Sequence, residues 1–267
     1  MKLTLPLIIF LLCGIAFSAF GKESDCHIGN RLIGYENGED LAIWNALVSK
    51  AKGEQLSPLA IPHPLRPIPI ALLNPNNQNY YRNSRSTEYL QEDAALSAMS
   101  LIAKAKEQGL QLFVHSAYRS WLTQCGVFKL KVANEMKTFK TDLEMAIQSV
   151  NTRSALPGES EHQLATAIDF VTDIPGVGYR LEFEFYRTST YQWLQENAGE
   201  YRFVMSFPQR DDLNMKKPHP KTQIIFEPWH WRYVGVYHAR IYKNCQEKMT
   251  MQEFLRALSK DSNFRCE

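Results

Sequence analysis

Histidine and acidic side chains lie close together at two places in the second half of the chain. In the segment EHQLATAID, Asp169 follows His162 by seven residues, and in the segment EPWHWRYVG, His230 follows Glu227 by three. Imidazole nitrogens and carboxylate oxygens are ordinary zinc ligands, and a catalytic zinc site uses three protein ligands and keeps a fourth position for water. His162, Asp169 and His230 could form such a ligand set, which would leave Glu227 free to take a proton from the water.

The seven-residue spacing of His162 and Asp169 restricts how both could bind one ion. On one helix they would share a face but lie about 10 Å apart along the axis, and on one strand an odd offset puts them on opposite faces. The PGES segment upstream favours a loop and TAIDFV favours a strand, so we expect the chain to bend between the two residues. The structural alternatives are a loop histidine beside a buried aspartate, and a surface strand in which Glu227 pairs with Arg232.

A third polar cluster, SAYRSWLTQ, contains Arg119 directly after an apolar, strand-like segment. Side chains at a strand-to-helix junction can face a cleft, and a guanidinium can hold a carboxylate through two parallel hydrogen bonds. Read alone, this segment favours a solvent-facing arginine.

Charge and the N-terminal sequence exclude some classes of protein. The 267 residues carry a formal net charge of +2, without the basic excess of a nucleic-acid-binding protein, so no nucleic-acid partner is expected. Residues 1–21 combine Lys2, an apolar run and small residues before Lys22, the pattern of a secretory signal peptide. The alternative is a membrane anchor, for which the run is short of the roughly 20 residues required. We expect an exported, periplasmic or cell-envelope monomer with no membrane span after signal removal.

Removal of the signal peptide would leave Cys26, Cys125, Cys245 and Cys266. An even number of cysteines in an exported chain indicates disulfide bonds in an oxidising compartment. Four cysteines allow three pairings, and the sequence does not select one. None has CxxC spacing, so a cysteine-ligated zinc site is not expected.

The elements that must position these residues favour an α+β fold. Long helical patterns come first and strand-like segments cluster in the second half, which predicts helices packed on a central, largely antiparallel sheet. Helices are predicted at 86–109, 121–151, 189–199 and 235–260, and strands at 110–120, 167–172, 201–208 and 222–234.

We predict four segments along the chain. Apolar residues at helical spacing over 39–52 are followed by six prolines between residues 58 and 75, a density that forbids helix and indicates an extended arm. The predicted segments are a signal peptide at 1–21, an N-terminal helix and proline-rich arm at 22–79, a catalytic domain at 80–258 and a C-terminal tail at 259–267.

The segments SAYRSWLTQ, PGESEHQLATAIDF, WLQENAGEYRFVMSFP and EPWHWRYVG occur in this order. Together they resemble the zinc D-alanyl-D-alanine carboxypeptidases of the vancomycin-resistance type and their L,D-carboxypeptidase relatives, in peptidase family M15. The resemblance covers roughly residues 80–257 and includes the tail segment MTMQEFLRAL.

The resemblance implies a role for individual residues. His162, Asp169 and His230 match the ligands of one zinc ion, and Glu227 matches the catalytic base. Arg119 matches the residue that holds the free carboxylate of the substrate or polarises the adjacent peptide. Three further residues match positions that line the substrate cleft: Ser160, Gln124 and Trp229.

One position departs from the family pattern, because this chain has Ala165 where the family usually has glycine. Alanine restricts positive φ angles, so the bend between the ligands is expected elsewhere, at Gln163 or Thr166. The implied function is removal of a C-terminal D-alanine from peptidoglycan stem peptides, with D,D or L,D specificity. The alternatives are a peptidoglycan endopeptidase of the same fold and a non-catalytic cell-wall-binding module.

Overall fold

The computed structural model describes residues 26–28, 31–34, 64–84, 86–261 and 263–266. The predicted signal peptide at 1–21, its membrane-anchor alternative and the predicted helix at 39–52 lie outside these residues. Among the described helices, none combines the length and the apolar content that crossing a membrane requires. The division of the chain into four segments stays a prediction.

The described chain consists of helices and short strands in mixed order. Single turns of 3₁₀-helix connect several of them, among them Glu161–Leu164 and Ala198–Tyr201. The α-helices are α1 (Gln78–Ser84), α2 (Glu92–Glu107), α3 (Trp121–Phe139), α4 (Leu143–Asn151), α5 (Ser189–Asn197), α6 (Gly235–Lys243) and α7 (Met251–Lys260). The strands are β1 (Cys26–Ile28), β2 (Arg31–Gly34), β3 (Leu65–Pro67), β4 (Tyr89–Gln91), β5 (Phe113–Ser116), β6 (Ala167–Val171), β7 (Phe203–Met205) and β8 (His230–Tyr233).

Four of these strands form the central sheet, in the order β5-β6-β8-β7. All three neighbouring pairs are antiparallel, which confirms the predicted α+β fold. Asp169 on β6 pairs with Ser116 on β5 and with His230 on β8. The register of the sheet therefore places two predicted ligands on adjacent strands at the same level.

The main hydrophobic core joins α2 to this sheet. Small side chains such as Ala94 and Ala98 are fully buried on α2, and they belong to the same cluster as Ile168 and Phe170 from β6. Small residues on the helix allow its backbone to approach the sheet closely, and the buried apolar area stabilises the position of β6. The strand that carries Asp169 is buried along its whole length.

The last part of the proline-rich segment contains two single turns of 3₁₀-helix, Ile70–Leu72 and Pro75–Asn77, where a continuous extended arm was expected, and it packs against the main core. Ile68 and Leu73 are buried there, and the backbone N–H of Asn74 donates to Val114 O at 2.7 Å. Strand β3, which ends at Pro67, pairs with β4 in a two-stranded sheet. Proline is tolerated in such an edge strand because its missing N–H is not needed as a hydrogen-bond donor.

Several predicted elements differ from the observed ones because tertiary contacts override the local pattern. The helix predicted at 235–260 is two helices, α6 and α7. The helix predicted at 86–109 begins only at Glu92, since Leu90 is buried in strand β4 and pairs with Arg66. The helical pattern over 121–151 is two helices, separated at Lys140, whose φ of 52° is left-handed. The strand predicted at 222–234 is confined to β8.

The structure selects one cysteine pairing of the three. Cys26 is bonded to Cys125, which joins the N-terminal strand pair to α3, and Cys245 is bonded to Cys266 near α7.

Candidate functional site

The chain bends between His162 and Asp169, as expected, but the bend lies at Ala165. His162 is part of the buried turn Glu161–Leu164, and Ala165 follows it with φ 52° and ψ 31°. The backbone N–H of Ala165 donates to His162 O at 3.2 Å, and its carbonyl accepts from the Gln91 N–H at 2.8 Å. The expectation of a bend at Gln163 or Thr166 is therefore wrong, because these contacts hold a non-glycine residue in the left-handed region.

Substitutions at Ala165 should report this strain. Ala165→Gly is expected to change the free energy of unfolding by less than about 1 kcal/mol. The relief of roughly 1–2 kcal/mol of left-handed strain is offset by the larger conformational entropy that glycine loses on folding and by the loss of a buried methyl group. Ala165→Val should destabilise by at least about 2 kcal/mol, because a branched side chain suffers both left-handed strain and overpacking. Urea denaturation measures both values, and equal tolerance of the two variants would contradict the bend.

The three predicted metal ligands meet at one buried point. His162 Nε2 lies 3.3 Å from Asp169 Oδ2, and His230 Nδ1 lies 3.0 Å from Asp169 Oδ1. One ligand atom from each residue lies within 4.8 Å of the others. Two ligands about 2.0–2.2 Å from a tetrahedral ion are themselves roughly 3.3–3.6 Å apart, so the site needs little adjustment to hold such an ion.

The outer ring nitrogens of both histidines are already engaged. The Nδ1–H of His162 donates to Ala117 O at 2.6 Å, and the Nε2–H of His230 donates to Glu161 Oε2 at 3.0 Å. Because a carbonyl and a carboxylate oxygen only accept, these bonds direct the other nitrogen of each ring toward Asp169. Such outer partners orient metal-bound histidines and raise their basicity, and the arrangement fits a divalent cation of the zinc type.

The electrostatics of these ligand groups agree with a position for positive charge. Burial alone would raise the pKa of Asp169, but His162 and His230 outweigh it and hold that pKa well below its usual range. Burial alone would lower the pKa of His230, but hydrogen bonds with Asp169 and Glu161 raise it to about 10. A positive charge at this point, either a proton on His230 or a bound cation, would balance the Asp169 carboxylate.

Glu161 is a site residue that the sequence analysis missed. Its Oε1 accepts from Arg232 at 2.6 Å, and its Oε2 accepts from Ser206 at 2.6 Å as well as from His230. Burial favours the neutral acid, yet the charge of Arg232 and the bond with His230 outweigh burial and lower the pKa of Glu161 to about 2. Two features of the sequence could have drawn attention to this pair. Glu161 directly precedes the predicted ligand His162, and Arg232 follows the predicted ligand His230 by two residues.

Glu227 lies in the turn that leads into β8. The backbone N–H of His230 donates to Glu227 O at 3.0 Å, and Glu227 Oε2 lies 3.9 Å from His230 Nδ1. Burial raises the pKa of this carboxyl to about 7, against the opposing charge of His230. The alternative of a surface strand with a Glu227–Arg232 pair is wrong, because β8 is buried and Arg232 pairs with Glu161.

The remaining predicted site residues lie on the other walls of the same cleft. Arg119 follows β5 directly, and its guanidinium donates to Gln124 Oε1 at 2.7 Å and to Ser116 Oγ at 3.1 Å. Gln124 in turn donates to Ala155 O at 2.6 Å, which fixes its orientation. All eight predicted site residues line a cleft of ≈ 320 Å³: Arg119, Gln124, Ser160, His162, Asp169, Glu227, Trp229 and His230.

A family model described as VanY, D-alanyl-D-alanine carboxypeptidase, matches residues 87–236. The matched region is more than half of the 267 residues and includes the metal ligand candidates and Glu227. The chain therefore belongs to the VanY family of D-alanyl-D-alanine carboxypeptidases, and the resemblance inferred from its motifs is confirmed.

Individual relatives agree with this membership. A D-alanyl-D-alanine carboxypeptidase of Enterococcus faecalis (strain ATCC 700802 / V583) is 31% identical over 173 residues, which cover 64% of this chain and 54% of the relative. The chain spans between 48% and 63% of the length of the curated relatives that it matches.

Two similar solved structures share the fold. The LdcB LD-carboxypeptidase, solved to explain peptidoglycan recognition, is 30% identical with a TM-score of 0.50, over 63% of this chain and 69% of the other. A mutant of the vancomycin-resistance D,D-pentapeptidase VanY, in complex with Zn(II), is 25% identical with a TM-score of 0.50, over 74% of this chain and 98% of the other.

Proposed function

We propose that this chain is a zinc-dependent carboxypeptidase that removes a C-terminal D-alanine from peptidoglycan stem peptides. The observation that carries the proposal is the convergence of His162, Asp169 and His230 in a cleft that also exposes Glu227 and Arg119. Relatives named for D,D activity and for L,D activity both match the chain, so the proposal covers both specificities. The Zn(II) complex of a VanY relative supports zinc as the metal.

Each residue has a distinct role in this proposal. His162, Asp169 and His230 hold zinc, which when bound polarises the scissile carbonyl and lowers the pKa of water. Glu227 accepts a proton from the attacking water and returns it to the leaving amine as the peptide C–N bond breaks, so that the carboxylate is regenerated. Arg119 holds the free carboxylate of the substrate.

Three other residues shape the cleft around this chemistry. Gln124 holds the guanidinium of Arg119 in place through their 2.7 Å hydrogen bond. Ser160 is buried at the start of the His162 turn. Trp229 packs against Phe183 with ring centroids 5.9 Å apart and forms an aromatic wall that excludes water.

We propose that the protein is exported to the periplasm or cell envelope, where its substrate occurs. The signal-peptide pattern at 1–21 supports export, and the cysteine pairs Cys26–Cys125 and Cys245–Cys266 suit an oxidising compartment. We propose a monomer that acts on stem peptides and has no nucleic-acid partner.

Incubation with synthetic tetrapeptide and pentapeptide stems, followed by mass spectrometry, tests this function. We expect loss of one alanine residue from at least one of the two peptides, no cleavage after treatment with a chelator, and recovery on addition of zinc. Pentapeptide cleavage indicates D,D specificity and tetrapeptide cleavage indicates L,D specificity. Fragments produced by cleavage inside the stem would indicate an endopeptidase instead. If the zinc-loaded protein bound the peptides without cleaving them, a wall-binding module would be favoured.

A further inference from the structure

The cleft contains a lysine that the proposed reaction does not use. Lys131 lines the cleft together with Arg119 and Arg153. It lies on α3, seven residues after Gln124 and four residues before Glu135. Residues at these offsets share one face of a helix, so all three side chains of α3 are directed to the same side.

Both neighbours of Lys131 on this face are bound to arginines. Gln124 accepts from Arg119, as described above. Glu135 forms an ion pair with Arg153, whose guanidinium also donates to Ser149 O at 3.0 Å. Gln124 and Glu135 lie on either side of Lys131, about 10 Å and about 6 Å along the helix from it, and each holds one guanidinium group.

The Lys131 ammonium itself has no such partner. Among the described residues, neither a hydrogen bond nor an ion pair engages it, although its side chain is partly buried in the cleft wall. Burial lowers the pKa of Lys131, with Glu227 acting in the opposite direction and Arg119 adding to the decrease. A partly buried cation without a partner is unfavourable, and an anionic group of a ligand would compensate it.

We propose that Lys131 binds a second carboxylate of the substrate, carried by a residue that precedes the C-terminal one. The inference rests on the proposed function, in which Arg119 holds the C-terminal carboxylate. Arg119 is tied to the metal side of the cleft, since its backbone N–H donates to His162 O at 3.1 Å. An extended peptide advances about 3.3 Å per residue, so a carboxylate one to three residues earlier can reach Lys131.

Two groups of a stem peptide have this chemistry, and the test separates them. One is the free α-carboxylate of a γ-linked glutamate, and the other is the side-chain carboxylate of a dicarboxylic diamino acid at the third position. We would compare peptides that differ only by a carboxylate or a carboxamide at each position. The wild type should prefer the free acid at one of them by roughly 10–100-fold in kcat/KM, as expected for a charge-assisted hydrogen bond.

The variant Lys131→Met should abolish this preference. We expect the ratio of kcat/KM between the free-acid and the amide peptide to fall to about one, since a neutral amide gains little from the ammonium. The ratio is the readout because Lys131 also lowers the pKa of Glu227, so its removal changes the rates of both peptides together. Lys131→Arg should keep part of the preference. Lys129→Met is the matched control, because Lys129 is exposed on the same helix and does not line the cleft.

Equal affinity of the wild type for the acid and amide forms at both positions would overturn the inference. A loss of kcat/KM in Lys131→Met that is the same for acid and amide peptides would do so as well, since it would assign Lys131 to the terminal carboxylate or to the fold. Calorimetric binding of the same peptides to zinc-loaded Glu227→Gln tests the preference without cleavage. Failure of the proposed function would instead appear as intact peptides that still bind with the acid preference.

Discussion

Replacing Glu227 by glutamine is expected to lower kcat/KM for the cleaved stem peptide by about 10³-fold while zinc stays bound. Glutamine keeps the size and the buried position of the side chain, but its amide cannot accept a proton from water. Positioned general acid–base groups contribute typically about 10²–10⁴-fold, and Glu227 is proposed to act twice, at the attack and at the departure of the amine. Its Oε2 lies 3.9 Å from His230 Nδ1, so it can serve the reaction without being one of the converging ligands.

Steady-state kinetics with the cleaved peptide and elemental analysis for zinc measure the two parts of this prediction. Glu184→Gln is the matched control, because Glu184 undergoes the same chemical change at an exposed position outside the cleft. The control should keep both activity and zinc. Wild-type turnover by Glu227→Gln would show that another group accepts the proton, whereas loss of zinc would show that Glu227 is a ligand.

The second large effect is expected at Glu161, a residue to which the sequence analysis assigned no role. Glu161→Ala should lower the free energy of unfolding by about 3–5 kcal/mol, the usual cost of removing one partner of a buried ion pair, because Arg232 is only 3% exposed and loses its carboxylate. The same variant should weaken zinc binding by roughly 10–100-fold, since the outer hydrogen bond of His230 is lost. Glu161 is thus a positioning residue that acts through His230.

A double-mutant cycle with Arg232→Met separates these two consequences. The double variant Glu161→Ala/Arg232→Met should recover part of the stability measured by urea denaturation, because the buried guanidinium that lost its carboxylate is also removed. It should not recover zinc affinity measured by competition with a chelator, since His230 still lacks its acceptor. Recovery of both properties together would show that Glu161 serves the fold alone.

The sequence by itself determined the types of residue at the site and much of the fold class. Two imidazoles, an aspartate and a glutamate are residue types that suit a zinc site, and the resemblance of the motifs to the carboxypeptidase family selected this interpretation over the structural alternatives. A shared ion also required a bend between His162 and Asp169, because neither a helix nor a strand lets both side chains reach it. The order of the helical and strand-like segments likewise predicted an antiparallel α+β fold. The functional roles assigned to these residues stay predictions.

Only the tertiary structure decided the features that depend on residues distant in the chain. Glu161 and Arg232 are 71 residues apart, and no local pattern reveals that the fold buries them as a pair. The bend falls at Ala165 because long-range hydrogen bonds, such as that from Gln91, stabilise a conformation that alanine alone disfavours. The pairing of Cys26 with Cys125 across 99 residues was equally undetermined, since periodicity and propensity report only neighbours along the sequence, whereas burial and charge compensation depend on the whole fold.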